Sequence, residues 1–139
     1  MTLQVLDASV AIKWFIKDEP GRLEAIRILD DVRDAPERFA VPELFLNEML
    51  AVLVRLLAGK PGELHGYLGA LQDLGLQRVG NGRELLERAV DLASRYDLSG
   101  YDAVYAATAQ LTDGCWLTAD ARAHRKIQRL KISKVVCQV

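Results

Sequence analysis

The chain has 139 residues, half of them hydrophobic and 27% charged, and its formal net charge is −1. This length suits one globular domain, residues 1–139, and the near-neutral charge argues against an acidic disordered chain or a polybasic nucleic-acid tail. The longest apolar run, residues 49–54, is far shorter than the ~20 residues that a membrane span requires. The first residues lack the pattern of a signal peptide. We therefore predict a cytoplasmic protein with no membrane segment.

Short apolar segments alternate with longer amphipathic ones along the chain. The predicted strands cover residues 3–6, 39–41, 76–79, 115–118 and 135–137. The predicted helices cover residues 10–16, about 20–32, 43–58, 61–74, 83–96, 100–111 and 121–130. This alternation is typical of an α/β fold in which helices cover both faces of a parallel sheet.

Acidic side chains follow two of the predicted strands and lie within two of the helices. Asp7 directly follows the first strand, and Asp120 comes two residues after the strand at 115–118. Ligands of open α/β sheets bind outside the carboxyl ends of the strands, so both side chains should lie at one edge of the sheet. Asp102 falls in the first turn of the helix 100–111, and Glu48 lies inside the apolar helix 43–58.

Each of these carboxylates also has a simpler structural interpretation. Asp7 and Asp120 could cap the helices that follow them, and Asp102 could complete a capping box. Glu48 could pair with Arg55, two turns along the same helix. Taken together these interpretations are less satisfactory, because several carboxylates at one sheet edge repel one another and raise each other's pKa.

A divalent cation would remove this repulsion. Carboxylate oxygens alone favour a hard ion, Mg²⁺ or Mn²⁺, over zinc. A metal at the edge of a sheet suits phosphodiester hydrolysis, because it lowers the pKa of bound water and stabilises the charge on the leaving oxygen. Such a mechanism needs no nucleophilic serine, cysteine or histidine, which agrees with a chain that has only two histidines.

Four segments of the chain contain these acidic residues. They are Asp7-Ala8-Ser9, Val41-Pro42-Glu43 leading to Asn47-Glu48, Leu98-Ser99-Gly100-Tyr101-Asp102-Ala103 and Leu117-Thr118-Ala119-Asp120. In this order and spacing they resemble the PIN domain, and more narrowly its VapC toxin branch, over essentially the whole chain. The resemblance implies a three-layer α/β fold in which helices flank a five-stranded parallel sheet. It also implies a Mg²⁺- or Mn²⁺-dependent endoribonuclease that forms homodimers and is neutralised by a VapB antitoxin.

Carried over by position, the resemblance assigns metal binding and catalysis to four acidic residues: Asp7, Glu48, Asp102 and Asp120. Ser9 and Thr118 match hydroxyl positions beside the metal and would orient ligands or water. Some family members carry a further acidic residue just after the last aspartate, where this chain has Ala121, Arg122 and Ala123. We therefore expect one metal held by the protein and a second that arrives with RNA.

The net charge of −1 conceals two regions of opposite sign. Residues 1–120 contain 12 basic and 19 acidic side chains, whereas residues 121–139 contain six basic and no acidic ones. The basic region begins beside the last aspartate, so Arg122, Arg125 and Lys126 are candidates for binding RNA phosphates next to the metal. Lys13, on the first helix, is a further candidate. The alternative interpretation is a basic helix face that contacts only solvent.

The predicted helices 43–58 and 61–74 carry more apolar side chains than one buried face of each helix requires. They are Leu44, Val52, Leu56, Leu57, Leu64, Leu68 and Leu71. Two adjacent helices of this kind could form a groove for an amphipathic partner helix. Ordinary core packing is the alternative.

Three other functions remain to be compared with a toxin nuclease. A PIN nuclease of RNA processing would have the same site and no antitoxin, and the presence of an adjacent antitoxin gene would separate the two. A receiver-like signalling domain also has an acidic Mg²⁺ pocket, but it needs two adjacent acidic residues where this chain has Asp7-Ala8. A catalytically silent binding module would be free to lose a buried Glu48, which this chain retains.

Overall fold

The computed structural model describes residues 2–138, which form one five-stranded sheet and seven α-helices. The strands are β1 (Gln4–Leu6), β2 (Phe39–Pro42), β3 (Gln77–Val79), β4 (Cys115–Thr118) and β5 (Ser133–Val135). The helices are α1 (Ala8–Ala11), α2 (Arg22–Asp34), α3 (Glu43–Leu56), α4 (Pro61–Gln72), α5 (Arg83–Tyr96), α6 (Gly100–Leu111) and α7 (Ala121–Ile127). Among residues 2–138, each helix is too short or too polar to span a lipid bilayer.

The five strands are all parallel and lie in the order β3-β2-β1-β4-β5. The chain therefore starts in the middle of the sheet, adds β2 and β3 on one side of β1, and then returns to add β4 and β5 on the other. In open α/β sheets a ligand crevice forms where the strand order reverses, which here is between β1 and β4. The predicted α/β fold with a five-stranded parallel sheet is confirmed.

The three inner strands are buried because their residues are almost all apolar. Val5 and Leu6 of β1 and Trp116 of β4 are fully buried, and all four residues of β2 are buried. Gln77 and Arg78 of β3 are exposed instead, in keeping with its position at the edge of the sheet. Parallel strands that are covered on both faces have this continuous apolar pattern rather than an alternating one.

Helix α6 packs across the centre of the sheet, against β1, β2 and β4. Its buried face consists largely of fully buried alanines: Ala103, Ala106, Ala107 and Ala109. Such small side chains let the helix axis approach the sheet closely. Helix α5 in turn packs against α6. This arrangement brings the first turn of α6, which contains Asp102, to the carboxyl edge of the strands.

Most predicted elements have a boundary that differs from the structure by one to three residues, and the clearest errors concern the first predicted helix and the last predicted strand. The predicted helix 10–16 is instead α1, which ends at Ala11 and is followed by a 3₁₀ turn at Ile12–Trp14. The predicted strand 135–137 lies two residues too far along the chain, because Ser133 pairs with Trp116 in the sheet. Cys137 has a φ of 60°, which ends extended structure before that residue. The predicted helices 83–96 and 100–111 and the predicted strand 115–118 have the bounds of α5, α6 and β4.

Gly114 offers a test of the packing between α6 and the start of β4. A methyl group added at Gly114 would lie 2.6 Å from the carbonyl oxygen of Leu3, whereas one at Gly66 in α4 would have no atom within 4 Å. We expect Gly114→Ala to lower the free energy of unfolding by about 1–3 kcal/mol through overpacking. We expect the control Gly66→Ala to raise it by up to about 1 kcal/mol through helix propensity. Urea unfolding measures both, and equal stability of Gly114→Ala and the native sequence would contradict this account.

Candidate functional site

Asp7 lies where β1 ends, at the point where the strand order reverses. Its backbone N–H donates to the carbonyl oxygen of Leu117 on β4, which holds the residue against the neighbouring strand. Its side chain caps α1, since Oδ1 accepts a hydrogen bond of 3.1 Å from the backbone N–H of Ser9. Oδ2 accepts a second hydrogen bond of 2.9 Å from the indole Nε1–H of Trp116. The predicted cap at Asp7 is therefore present, in a side chain that is 6% exposed.

Burial raises the pKa of Asp7 from its ordinary value of 3.8 to about 6. The hydrogen bonds that it accepts from Ser9 and Trp116 act in the opposite direction, because they stabilise the ionised form. The negative charge of Glu48 raises the pKa further. A buried carboxylate with no compensating positive charge is costly, so this site favours either a proton or a cation.

Glu48 projects from α3 and is half-buried. Its Oε1 accepts a hydrogen bond of 2.8 Å from the hydroxyl of Tyr105 on α6. Burial raises its pKa, the Tyr105 hydroxyl lowers it, and the charge of Asp102 raises it. The interpretation that pairs Glu48 with Arg55 is wrong: Arg55 is exposed, and the ion pairs among residues 2–138 do not include these two side chains.

Asp102 and Asp120 each begin a helix. The hydroxyl of Ser99 caps α6 by accepting a 3.1 Å hydrogen bond from the Asp102 backbone N–H. Burial raises the pKa of the Asp102 carboxyl, and the charge of Asp120 raises it further, while Ser99 and Lys126 lower it. Asp120 caps α7, with its Oδ1 accepting from the backbone N–H of Arg122 at 2.9 Å. The predicted cap at Asp120 is present, whereas of the predicted capping box at Asp102 the hydrogen bonds among residues 2–138 include only the half made by Ser99.

Ser9 and Thr118 connect the loops that follow β1 and β4. Their hydroxyl oxygens are 3.5 Å apart. The Ser9 hydroxyl accepts a hydrogen bond of 3.0 Å from the backbone N–H of Ala119, and the Thr118 hydroxyl accepts one of 3.0 Å from that of Asp120. These contacts tie the loop carrying Asp7 to the loop carrying Asp120.

The charges of the four carboxylates act on one another pairwise in the order Asp7, Glu48, Asp102 and Asp120, a set that we call the carboxylate row. As the side chains stand, no three His, Cys, Asp or Glu residues within 2–138 are grouped closely enough to hold a metal ion. Beyond the effect of burial, the charge of Glu48 raises the pKa of Asp7, and that of Asp102 raises the pKa of Glu48. Mg²⁺ typically takes one or two carboxylates and keeps several waters. The donor set consists only of oxygen atoms, which suits a hard divalent cation rather than zinc.

The candidate RNA-binding side chains differ in their exposure and in whether they already donate a hydrogen bond within the protein. Arg122 and Arg125 on α7 are exposed. The ammonium of Lys126 donates to the backbone oxygen of Asp97 at 2.7 Å. Its positive charge also lowers the pKa of the Asp102 carboxyl. The ammonium of Lys13 is held by the backbone oxygen of Pro20 at 2.8 Å, and its side chain is 12% exposed. A phosphate would reach the α7 side chains without breaking a buried contact, but it would compete with Pro20 at Lys13.

Two residues of the site, Tyr105 and Trp116, were not identified from the sequence. Each donates a side-chain hydrogen bond to a carboxylate of the row. One signal for Tyr105 was available: it is three residues after Asp102 in a helix, on the same face, and a buried phenol needs a hydrogen-bond partner. No local signal pointed to Trp116, because its contact with Asp7 depends on the pairing of Val5 with Trp116 across two strands distant in sequence.

The raised pKa of Asp7 predicts a pH-dependent stability for the metal-free protein. The folded state binds more protons than the unfolded chain between about pH 4 and about pH 6, so the free energy of unfolding falls as the pH rises through that window. Asp7→Asn lacks this titrating group, so it should not lose this stability. In the presence of a chelator, we expect its free energy of unfolding minus that of the native protein to be about 2 kcal/mol higher at about pH 7.5 than at about pH 4. A hydrogen bond that asparagine cannot make changes the free energy of unfolding by the same amount at both pH values, so it does not affect this difference.

Asp73→Asn is the matched control, since Asp73 is an exposed aspartate at the end of α4. It removes one exposed carboxylate and so controls for the change in net charge. Urea titrations of the three proteins measure these differences. A stability difference between Asp7→Asn and the native sequence that does not change with pH would contradict the prediction.

Comparison with known proteins agrees with this fold. The family model of the PIN domain matches residues 5–130. A toxin–antitoxin complex from Klebsiella pneumoniae contains a chain of similar structure, with a TM-score of 0.71 and 17% sequence identity over 98% of this chain and 99% of that one. VapBC2 from Rickettsia felis, bound to a DNA fragment from its promoter, matches with a TM-score of 0.70 and 11% identity over 96% and 98% of the two chains.

A third similar structure is FitAcB from Neisseria gonorrhoeae, with a TM-score of 0.68 and 14% identity over 91% of this chain and 94% of that one. No curated protein sequence matches the chain. The structural similarities, all at low identity, concern the fold. The family model covers most of the chain, including all four acidic residues of the row. The chain therefore belongs to the PIN domain family.

Proposed function

We propose that this protein is a metal-dependent endoribonuclease that acts in the cytoplasm as the toxin of a type II toxin–antitoxin system. The observation that carries the proposal is the row of carboxylates at the reversal of strand order, in a member of the PIN domain family. The burial of Asp7 and the raised pKa values along the row support a site that binds a cation. Hydrolysis of RNA phosphodiester bonds follows from a hard metal beside a basic helix.

In this proposal four residues hold one Mg²⁺ or Mn²⁺ ion: Asp7, Glu48, Asp102 and Asp120. When bound, the ion supplies Lewis acidity to the attacking water and to the phosphate. Ser9 and Thr118 keep the two loops of the site together through their hydroxyl contacts. Asp120 accepts from two backbone N–H groups of α7 through one oxygen, Oδ1, which leaves its other oxygen for the ion.

RNA phosphates would bind along α7. Arg122 and Arg125 are exposed and Lys126 lies near Asp102, so the positive charges begin beside the last carboxylate of the row. Residues 121–139 carry six basic and no acidic side chains. A strongly acidic row alone would repel RNA, and this adjoining basic segment offsets the repulsion.

An antitoxin would bind a groove on the face formed by α2, α3 and α4. The groove has a volume of about 560 Å³ and is mainly apolar. Three leucines of the predicted stripe line it: Leu56, Leu57 and Leu71. The other four residues of the stripe do not line it. Lys17, Arg22 and Arg33 add positive charge to its lining, which suits an amphipathic helix of VapB type with acidic side chains.

A homodimer is the quaternary structure that we propose. Within residues 2–138, five of the eight exposed large apolar side chains lie on two helices: Leu50, Val54 and Leu56 on α3, and Leu86 and Val90 on α5. Apolar side chains that share one face of a helix often mark a surface that is buried in an assembly. A second copy of the chain would cover the pair on α5 and the first two of the three on α3.

The second candidate function is a PIN nuclease of RNA processing that has no antitoxin. It shares the carboxylate row and the basic helix, so the nuclease site does not distinguish the two functions. The apolar groove with its three basic residues favours the toxin, because a nuclease acting alone has no use for it.

Cleavage of structured RNA by the purified protein tests the proposed activity. We expect Mg²⁺ or Mn²⁺ to support cleavage and a chelator to abolish it. Asp7→Asn should reduce the rate more than about 100-fold, because even the loss of a residue that only supports a metal ligand commonly costs 10–100-fold. Asp73→Asn, an exposed aspartate away from the row, should cleave at the native rate. Cleavage that persists in chelator or in Asp7→Asn would overturn the proposed activity.

The salt dependence of RNA binding tests the role of α7. In an Asp7→Asn background, replacement of Arg122, Arg125 and Lys126 by glutamine should weaken binding. It should also lower the slope of log K against log salt by about 2, since each phosphate contact on a single strand contributes about 0.7. The control replaces three exposed basic residues elsewhere by glutamine, Arg27, Arg38 and Lys60, which changes the net charge equally. Equal slopes in the two triple variants would contradict the assignment.

A further inference from the structure

Two buried aromatic residues lie in contact with the carboxylate row. Tyr105 comes from α6 and Trp116 from β4, and their side chains are 1% and 0% exposed. Their rings are stacked, with centroids 6.0 Å apart and planes at 9° to each other. Each ring directs its one polar group at a different carboxylate. Because both rings are buried in the close-packed core, the surrounding side chains restrict how far either polar group can move.

The contact from Trp116 has only one possible direction. An indole nitrogen can donate a hydrogen bond and cannot accept one. The Nε1–H of Trp116 is 2.9 Å from Oδ2 of Asp7, so this oxygen must be the acceptor. Asp7 also accepts at Oδ1 from the Ser9 backbone. Each oxygen of the carboxylate is therefore held by a donor of known position.

The contact from Tyr105 also has a defined direction. The backbone N–H of Ala8 donates to the Tyr105 hydroxyl at 3.3 Å, so the hydroxyl oxygen is an acceptor there. The single hydroxyl proton is then free to be donated to Oε1 of Glu48, 2.8 Å away. A directed chain of hydrogen bonds thus runs from the residue after Asp7, through Tyr105, to Glu48.

We propose that Tyr105 and Trp116 are positioning residues that hold Glu48 and Asp7 in the orientation needed to bind a divalent cation. The inference rests on the metal site proposed above and deepens it. Side chains held by a buried, stacked pair lose little further rotational freedom when an ion binds, so affinity rises. Both donors also favour the ionised carboxylate, the only form that serves as a ligand.

A purely structural role for the pair makes a different prediction. Buried phenols and indoles usually find a hydrogen-bond partner, and a nearby carboxylate would serve. In that case the loss of either donor would lower the stability of the protein and leave the affinity for metal unchanged. Measuring both quantities on the same variants therefore separates the two roles.

Tyr105→Phe is the first test, because it removes one oxygen and keeps the ring. Its matched control is Thr108→Val, which removes a fully buried hydroxyl from the next turn of α6, where it donates to the backbone oxygen of Val104. We expect Tyr105→Phe to weaken Mn²⁺ binding by about 10- to 100-fold in calorimetric titrations without RNA. Thr108→Val should bind Mn²⁺ with the native affinity, whatever stability it loses.

Trp116→Phe is an independent second test. Its control is Trp14→Phe, since the indole of Trp14 is also buried and donates to the backbone oxygen of Ala25 at 2.8 Å. Mn²⁺ affinity should fall in Trp116→Phe and stay native in Trp14→Phe. The electron paramagnetic resonance spectrum of bound Mn²⁺ should change only in the Tyr105 and Trp116 variants. Urea unfolding in chelator checks that all four variants fold.

The outcomes separate this inference from the proposed function. Native Mn²⁺ affinity in folded Tyr105→Phe and Trp116→Phe would overturn the inference alone and leave the metal site standing. Equal losses of Mn²⁺ affinity in the variants and in their controls would also overturn it. The loss would then come from lower stability and not from the contacts with the carboxylates. Failure of the native protein to bind Mn²⁺ at all would overturn the metal site and the inference together.

Discussion

The burial of the Asp7 carboxylate is the constraint on which the rest of the site depends. Its position is set by the sheet, because Asp7 follows the central strand β1 and its backbone is bound to β4. Burial raises its pKa to about 6 despite two hydrogen bonds to it. Glu48 adds a second negative charge nearby. A buried carboxylate without a countercharge is costly at neutral pH, and such perturbed groups are concentrated at functional sites.

The structural roles of the acidic residues do not exclude the functional one that we propose for them. Asp7 and Asp120 cap helices through their side chains, and Asp102 lies in the first turn of a third helix. A cap uses lone pairs of a carboxylate that has about four, and so leaves others for a cation. The capping interpretation of the sequence is therefore right for Asp7 and Asp120, and it is compatible with the proposed metal site. The same backbone N–H groups that satisfy the helix ends hold the carboxylates in place.

The fold places the acidic and the basic regions of the chain next to each other. The acidic row and the basic segment meet at Asp120, which ends the loop after β4 and caps α7. Arg122 and Arg125 project into solvent from this helix, while Lys126 is close enough to Asp102 to lower its pKa. Negative charge for a cation and positive charge for a polyanion thus adjoin each other. A net charge of −1 describes neither region.

The sequence alone determined the fold class, most of the helices and the positions of the four carboxylates. These features depend on local patterns: apolar periodicity, capping residues, and the rule that ligands bind at the carboxyl ends of parallel strands. Only the tertiary structure decided the register of β5, the partner of Glu48, and the contacts of Tyr105 and Trp116 with the row. Trp116 lies 109 residues from Asp7 in the chain. Such contacts arise from strand register and helix packing, which residues distant in sequence determine jointly.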